Sequence, residues 1–128
     1  MSELHKRVTH SSGMSLVAAR NADVILAVGA RFADLHCASW LPGYAYNIPP
    51  TKLIHVDIDP SEIGRNYPVE LGIVADARSF LVQMLELAKS RQVKRDGKAW
   101  VDEVYQYKVE WRKFIEPYYK NEEVPIDP

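Results

Sequence analysis

Two stretches of the sequence decide the fold: ADVILAVGARF at residues 22–32 and KLIHVDIDPSEIGRN at residues 52–66. Each contains a short apolar run, which is typical of a buried strand covered on both faces of a parallel sheet. The first run stops at Gly29, and the second stops at the carboxylates Asp57 and Asp59. Because ligands of open parallel sheets bind at the carboxyl ends of the strands, these residues form a candidate site.

The other elements are predicted from spacing and from residues that start helices. Asp76 is placed to cap a helix in which apolar residues recur at helical spacing. Asp59, Pro60 and Glu62 predict another short helix directly after the second strand. The remaining predictions are a helix over 13–21, one helical turn within 33–40, a strand over 71–74, and a helix over 98–115 that ends before Pro117.

Strands that alternate with helices predict an α/β fold built on a parallel sheet. Three or so strands are readable, so we expect a Rossmann-like half domain with a long C-terminal helix. One face of that helix carries an aromatic stripe, which we interpret as a packing surface rather than a cofactor site. The stripe consists of Trp100, Val104, Tyr107, Trp111 and Phe114.

Composition excludes several classes of function. The formal net charge is −1, so no nucleic-acid partner is expected. No apolar run approaches the roughly 20 residues that a membrane span needs, and no membrane association is expected. The single cysteine, Cys37, allows neither an intrachain disulfide nor a cysteine metal site. We therefore expect a cytoplasmic protein, or one in an organelle stroma.

The order of these motifs resembles the central domain of thiamine-diphosphate-dependent enzymes, above all the acetolactate synthase large subunit. The resemblance rests on Gly-Ala-Arg-Phe at residues 29–32, on Asp-Ile-Asp-Pro-Ser-Glu-Ile-Gly at 57–64, and on Gly-Ile-Val-Ala-Asp-Ala at 72–77. It covers about residues 13–87. With the sequence pattern, it divides the chain into a flexible leader (1–12), a partial central domain (13–92), and an aromatic helix with a linker (93–128).

The resemblance implies a parent enzyme that uses thiamine diphosphate and magnesium to decarboxylate a 2-oxo acid and join or release the two-carbon unit. The family's catalytic glutamate lies in a pyrimidine-binding domain. Its Gly-Asp-Gly motif lies in a pyrophosphate-binding domain, and this sequence contains no Gly-Asp-Gly. The resemblance therefore implies a non-catalytic structural fragment, without catalytic residues or metal ligands, whose partners are those two missing domains.

In the synthases that bind FAD, the central domain holds the flavin. This sequence departs from their usual Arg-Phe-Asp-Asp-Arg, because Ala33 and Leu35 replace an aspartate and an arginine. Ala75 stands where the family has a glycine after the third strand. The cofactor-binding positions that the resemblance implies are Gly29, Ala30, Arg31, Asp57, Ile58, Asp59 and Asp76.

Other interpretations of the site residues remain open. A turn would explain Gly29, a helix cap would explain Asp59, and an ion pair to Asp34 or Asp57 would occupy Arg31. The chain is alternatively a free-standing nucleotide-binding module, or an interaction module whose aromatic helix docks a partner. We also expect a homo-oligomer, because half a sheet leaves an open edge.

The remaining candidate side chains are assigned structural roles. His55 lies within the second strand and is expected to be a hydrogen-bonded core residue. His36 and Cys37 are neighbours, but loop neighbours rarely have the geometry of a nucleophile and its base. Paired carboxylates at Asp57 and Asp59 are of a type that can serve acid–base chemistry, but a helix cap would account for one of them. The basic residues within 89–98 are interpreted as a solvated linker, with a surface that holds a phosphate as the alternative.

Overall fold

The structure, a computed structural model, describes residues 13–37, 40–94 and 96–120 of the 128-residue chain. The predicted leader over 1–12 and the end of the predicted linker lie outside these residues. The elements are α1 (Gly13–Asn21), β1 (Val24–Val28), α2 (Asp34–Cys37), β2 (Lys52–Asp57), β3 (Leu71–Val74), α3 (Ala77–Ser90) and α4 (Lys98–Tyr119). The expected α/β fold class is confirmed.

The chain divides into two compact units. One comprises Ala19–Arg95 and contains the sheet, and the other comprises Met1–Ala18 together with Asp96–Pro128. Among the described residues, no helix is both long and apolar enough to cross a membrane.

The sheet has three parallel strands in the order β1-β2-β3. Val24 faces Lys52 in the first pair, and Ile54 faces Leu71 in the second. Because all strands run in the same direction, their carboxyl ends meet at one edge of the sheet. The residues that follow β1, β2 and β3 therefore share that edge, as the sequence predicted.

Burial is concentrated on the central strand. Leu53 and Val56 of β2 are 1% and 0% exposed, whereas Val24 and Leu26 of β1 are 50% and 40% exposed. The prediction that β1 is covered on both faces is therefore wrong. β1 is the end strand of the described sheet, and its apolar run reflects one packed face, on which Ala27 is buried.

An aromatic cluster fills the space beneath the carboxyl edge of the sheet. The ring of Phe32 meets the rings of Tyr46, His55 and Tyr67 edge-on, with centroids 5.4, 5.3 and 5.4 Å away. Edge-to-face contacts of this kind stabilise by about 0.5–1.5 kcal/mol each beyond the burial of area. The cluster fixes the loop after β1 against the segment between β2 and β3.

No helix follows β2, and the prediction of one there is wrong. The backbone forms consecutive turns: Glu62 N donates to Asp59 O at 3.1 Å, and Arg65 N donates to Glu62 O at 3.3 Å. These bonds span three residues rather than the four of an α-helix. Gly64 then takes a φ of +71°, which ends the helical path before a second turn can form.

α3 begins where the capping residue predicts. Asp76 Oδ1 accepts hydrogen bonds from Ser79 N at 2.9 Å and from Ser79 Oγ at 3.0 Å. No residue of α3 is buried, and Leu81 and Leu85 are about half exposed. The predicted periodicity is thus present, but the apolar face remains uncovered within the described residues.

α4 continues to Tyr119 and contains Pro117, so the predicted end before that proline is wrong. A proline in the last turn costs a single hydrogen bond and has a φ compatible with a helix, so the helix ends just after it rather than before. Residues of the predicted stripe are half-buried at 104, 107, 111 and 114, and the rings of Trp111 and Phe114 lie 5.5 Å apart.

Candidate functional site

Gly29 ends β1 in a conformation that favours glycine. Its φ is +66°, and its N–H donates to the carbonyl of Val56 at 2.8 Å, which joins the ends of β1 and β2. A Cβ built at this position would meet no heavy atom within 4 Å. The backbone turn therefore accounts for the glycine, and the space beside it remains open to a ligand.

His55 connects the two loops that form this edge. Its Nε2 lies 2.9 Å from the carbonyl oxygen of Ala30, and its Nδ1 lies 3.4 Å from the N–H of Gly64. A carbonyl can only accept and an N–H can only donate, so the proton is on Nε2. The side chain is 1% exposed, and the predicted structural role of His55 is confirmed.

Phe32 is held in the left-handed region, with a φ of 49°. This conformation is strained for a bulky side chain and persists where surrounding contacts impose it. Two side chains supply such contacts to the Phe32 carbonyl: Trp40 Nε1 donates at 2.7 Å and Asn66 Nδ2 at 3.2 Å. Asn66 Nδ2 also lies 3.1 Å from the carbonyl of Arg31, so it ties down the whole loop.

The carboxylates after β2 close local turns. Asp57 is buried, and its Oδ1 accepts from the N–H of Asp59 at 2.9 Å. Asp59 Oδ1 accepts from Ser61 N at 2.9 Å and from Ser61 Oγ at 2.7 Å. These bonds lower the pKa of Asp59, with smaller contributions from the positive charges of Arg31 and Arg65. Asp59 is therefore a turn-capping residue rather than the predicted helix cap.

Charged side chains beside the turn are only partly paired. Glu62 is 7% exposed, and its Oε1 accepts from Arg65 Nη1 at 2.9 Å. Arg31 is exposed and forms no ion pair with Asp34 or Asp57, at least within the part of the chain that the structure describes. The alternative interpretation, in which Arg31 forms an ion pair within the protein, is therefore not observed.

The other predicted site residues contribute a cap and an exposed apolar side chain. Asp76 caps α3, and the hydrogen bonds from Ser79 lower its pKa. Ile58 is 71% exposed at the end of β2. In the described ranges, no group of three or more His, Cys, Asp or Glu side chains is arranged to hold a metal ion.

Cys37 is enclosed next to the aromatic cluster. It is 1% exposed, and burial raises the pKa of its thiol. Burial, and to a lesser extent the neighbouring Cys37, raise the pKa of Tyr67 to about 12. The Tyr67 hydroxyl is buried and has no hydrogen-bond partner among the described residues. A buried thiol of raised pKa is a poor nucleophile, which agrees with its assignment as structural.

Comparison with known sequences assigns the chain to a family. The family described as "Thiamine pyrophosphate enzyme, central domain" matches residues 3–84. The chain belongs to this thiamine pyrophosphate enzyme central-domain family. The resemblance noted in the sequence is thereby confirmed.

Relatives of this central-domain chain are acetolactate synthases. It is 32% identical over 119 residues to a probable acetolactate synthase large subunit of Methanocaldococcus jannaschii, which covers 93% of the chain but 19% of the relative. It is 37% identical over 103 residues to the acetolactate synthase large subunit of Corynebacterium glutamicum, a match that covers 78% of this chain and 16% of the relative. It is 42% identical over 79 residues to the acetolactate synthase isozyme 3 large subunit of Escherichia coli, a match that covers 62% of this chain and 12% of the relative. The chain thus spans less than a fifth of the length of these relatives.

The central-domain geometry fits a nucleotide cofactor incompletely. Gly29 and Arg31 remain open to a ligand. The carboxylates that would accept from its hydroxyl or amine groups already accept from the protein, since Oδ1 of Asp57, Asp59 and Asp76 each binds a local N–H. The edge of the sheet therefore brings together the predicted residues, but largely as turns and caps.

Sequence reasoning missed two residues that shape this edge in the central domain. Asn66 and Trp40 hold the carbonyl of Phe32 from 34 and 8 residues away along the chain. Their contribution depends on the folded path of the loops, and the sequence offers a weak signal for it. Asn66 lies two residues after the Asp-Ile-Asp-Pro-Ser-Glu-Ile-Gly block at 57–64, and this position marks it as a residue of the turn region.

Proposed function

We propose that this chain is the central-domain portion of an acetolactate synthase-like enzyme and acts there as a non-catalytic structural domain. The observation that carries this proposal is the family match over residues 3–84. The acetolactate synthase relatives, matched over 12–19% of their length, support the choice of parent. In such a parent, thiamine diphosphate and magnesium would supply the chemistry that decarboxylates a 2-oxo acid and joins the two-carbon unit.

The non-catalytic role is supported by the residues present. The sequence has no Gly-Asp-Gly, and the described residues offer no cluster for a metal ion. Asp57 and Asp59, the one pair suited by type to acid–base chemistry, serve instead to close turns. We place the pyrimidine-binding and pyrophosphate-binding functions on other domains of the parent, which are the partners of this one, and we place that parent in the cytoplasm.

A domain exchange tests the structural role. The matching segment of the E. coli isozyme 3 large subunit is replaced by residues 13–92 of this chain, and acetolactate formation from pyruvate is measured. We expect a folded, active chimera, because the sheet and its turns would reproduce the domain. Exchange with the corresponding M. jannaschii segment is the positive control, and the same chimera with Leu53→Asp, which places a charge at a fully buried position, is the negative control.

Two outcomes would contradict this proposal. One is an inactive chimera beside an active M. jannaschii control, which would show that this chain does not serve as a central domain. The other is acetolactate formation by the purified 128-residue chain with thiamine diphosphate, magnesium and pyruvate, which would show catalysis by the chain itself.

A free-standing nucleotide-binding module is the second candidate function. It is favoured by the open space beside Gly29 and by the exposed Arg31, which could pair with a phosphate. Calorimetric titration of the chain with FAD, NAD and ATP distinguishes the candidates. Micromolar binding that Arg31→Ala weakens at least tenfold would support the module, whereas no binding would favour the structural domain.

A further inference from the structure

The dipeptide Asp96-Gly97 lies where the chain enters α4. It is the one Asp-Gly in the sequence, which contains no Asn-Gly. The N–H of Val101 donates to the Gly97 carbonyl at 3.0 Å, and this is the first hydrogen bond of the helix. The compact unit that contains the sheet ends at the preceding residue, so the dipeptide also marks the end of the connection between the two units.

The side chain of Asp96 folds back over the main chain that follows it. Its Oδ1 accepts from the N–H of Lys98 at 3.1 Å, and this bond closes a ring around the Gly97 peptide. The carboxyl carbon of Asp96 is therefore held on the same side of the chain as the Gly97 nitrogen. Within the described residues, the Gly97 N–H donates to no acceptor, so this nitrogen is not engaged elsewhere.

The structure does not require a glycine at position 97. The φ of Gly97 lies outside the left-handed region, and an added Cβ would meet no heavy atom within 4 Å. What the glycine provides is an unhindered nitrogen, because it lacks the side chain that would shield it. The position thus combines a carboxyl group, an accessible amide nitrogen and open space.

We propose that Asp96-Gly97 is a site of spontaneous isoaspartate formation. The Gly97 nitrogen attacks Cγ of the Asp96 carboxylic acid and gives up its proton, and one water molecule leaves as a five-membered succinimide closes. Solvent water then adds to the main-chain carbonyl carbon of Asp96. The bond from that carbon to the Gly97 nitrogen breaks, and the nitrogen regains a proton. The chain now runs through Cγ, and the former carbonyl carbon carries the free carboxylate, without oxidation or reduction.

The start of α4 favours the first step of this reaction. Negative charge develops on the oxygens of the attacked carboxyl group, and the Lys98 N–H already donates to one of them. The partial positive charge at the N-terminus of a helix stabilises the same developing charge. Because the reaction is intramolecular, it needs only this local geometry and solvent water, to which Asp96 is exposed.

Asp76 provides a comparison within the same chain. Its Oδ1 also accepts a hydrogen bond at the start of a helix, from Ser79 N at 2.9 Å, but the residue that follows it is Ala77. The Cβ of an alanine hinders attack by its own nitrogen. We therefore expect Asp76 to keep its normal peptide linkage under conditions in which Asp96 converts.

Conversion would change the start of α4. The product has one additional carbon in the main chain, and Cγ becomes part of that chain instead of presenting Oδ1 to the Lys98 N–H. The helix therefore loses the hydrogen bond that precedes its first turn. Faster amide exchange at Lys98 should accompany the new linkage, while exchange within the sheet stays unchanged.

Incubation of the 128-residue chain for weeks near physiological temperature and pH tests the proposal. Methylation by an isoaspartate-specific carboxyl methyltransferase counts the product. Electron-transfer fragmentation locates it, because it breaks the Cα–Cβ bond that isoaspartate places in the main chain. We expect isoaspartate at position 96 and none at Asp76.

Three variants test the chemistry. Gly97→Ala fits the structure without overlap and should slow conversion about tenfold. Asp96→Glu should prevent conversion, since its ring would need six members. Asp96→Asn should accelerate it through the same succinimide, because ammonia then leaves instead of water.

Either of two results would overturn the proposal. One is a folded chain that keeps its normal linkage at Asp96 while the chain unfolded in guanidinium converts, which would show that the fold protects this bond. The other is equal conversion at Asp76 and Asp96, which would show that neither Gly97 nor the local geometry directs the reaction.

Discussion

The imidazole Nε2–H of His55 donates to the carbonyl oxygen of Ala30 at 2.9 Å. His55 belongs to β2 and Ala30 to the loop after β1, so this bond joins two segments that are 25 residues apart in the sequence. The opposite nitrogen accepts from Gly64 N, in the turn after β2. One buried ring therefore sets the spacing of both loops at the carboxyl edge of the sheet.

Replacing His55 should destabilise the fold strongly. His55→Leu leaves the Ala30 carbonyl without its donor and the Gly64 N–H without its acceptor, and we expect a loss of about 2–4 kcal/mol. His55→Gln keeps one amide donor and should lose less. Urea unfolding followed by circular dichroism measures both variants, and equal losses for the two would contradict the assigned hydrogen bonds.

Asn66→Ala tests how the strained loop is held. The change removes the donor shared by the carbonyls of Arg31 and Phe32, and we expect the unfolding free energy to fall by about 1–2 kcal/mol. Glu70→Ala is the control, because its ion pair with Lys52 is exposed and 3.7 Å long and should contribute less than about 1 kcal/mol. A smaller effect at Asn66 than at Glu70 would count against the role of Asn66.

Tyr67 should make stability depend on alkaline pH. Its pKa is raised to about 12 from 10.0, chiefly by burial, so the folded state favours the neutral phenol. The resulting stabilisation is complete below pH 10 and is lost as pH rises from 10 to about 12. Tyr67→Phe should lose less stability over this range. Thermal unfolding of the wild-type chain and of Tyr67→Phe, measured from pH 8 to about pH 12, gives the difference, and superimposable pH dependences would contradict the assignment.

Asp76 should make the stability of α3 fall at acidic pH, whereas the effect of Tyr67 appears at alkaline pH. Hydrogen bonds from Ser79 lower its pKa from 3.8, so its stabilisation is present above that value and is lost as pH falls through the lower folded pKa. Asp76→Asn should keep the cap and weaken this pH dependence, whereas Asp76→Ala should fray the helix at neutral pH. Amide exchange at the first turn of α3 follows both effects.

Two glycines should respond to alanine for different reasons. Gly29→Ala meets open space but must hold a φ of +66°, so the cost is backbone strain of about 1–2 kcal/mol. Gly72 does not have a positive φ, so Gly72→Ala causes no backbone strain of this kind. The added Cβ would instead lie 2.6 Å from Cγ2 of Ile63, and relieving this overlap should cost about 1–3 kcal/mol. The further change Ile63→Val keeps Cγ2 and should not rescue Gly72→Ala, whereas Ile63→Ala removes it and should recover part of the overlap cost.

The strands and α3 could be predicted because their causes are local. Apolar runs mark β1, β2 and β3, and a capping aspartate marks the start of α3. The sequence predicts a helix after β2 where the structure has turns, because Asp-Pro-Ser-Glu is a suitable start for both. The positive φ of Gly64 distinguishes turns from a helix here, but this φ is known only from the folded backbone.

The candidate site was predictable in position but not in role. Asp57, Asp59 and Asp76 do follow the strand ends, as their places in the sequence require. Whether a carboxylate faces a ligand or its own backbone depends on loop geometry that periodicity does not encode. The left-handed conformation of Phe32 is equally hidden, because it is imposed by Trp40 and by Asn66, which is distant in the sequence.

Because Cys37 is buried beside the aromatic cluster, chemical labelling of its thiol reports on local opening of that cluster. The thiolate is the form of cysteine that attacks alkylating reagents, and burial of Cys37 raises the pKa of its thiol and shields it from the reagent. The sequence has no other cysteine to compete for reagent. The rate of labelling in the native state therefore follows how often the aromatic cluster opens, so a single mass measurement per time point yields the opening kinetics.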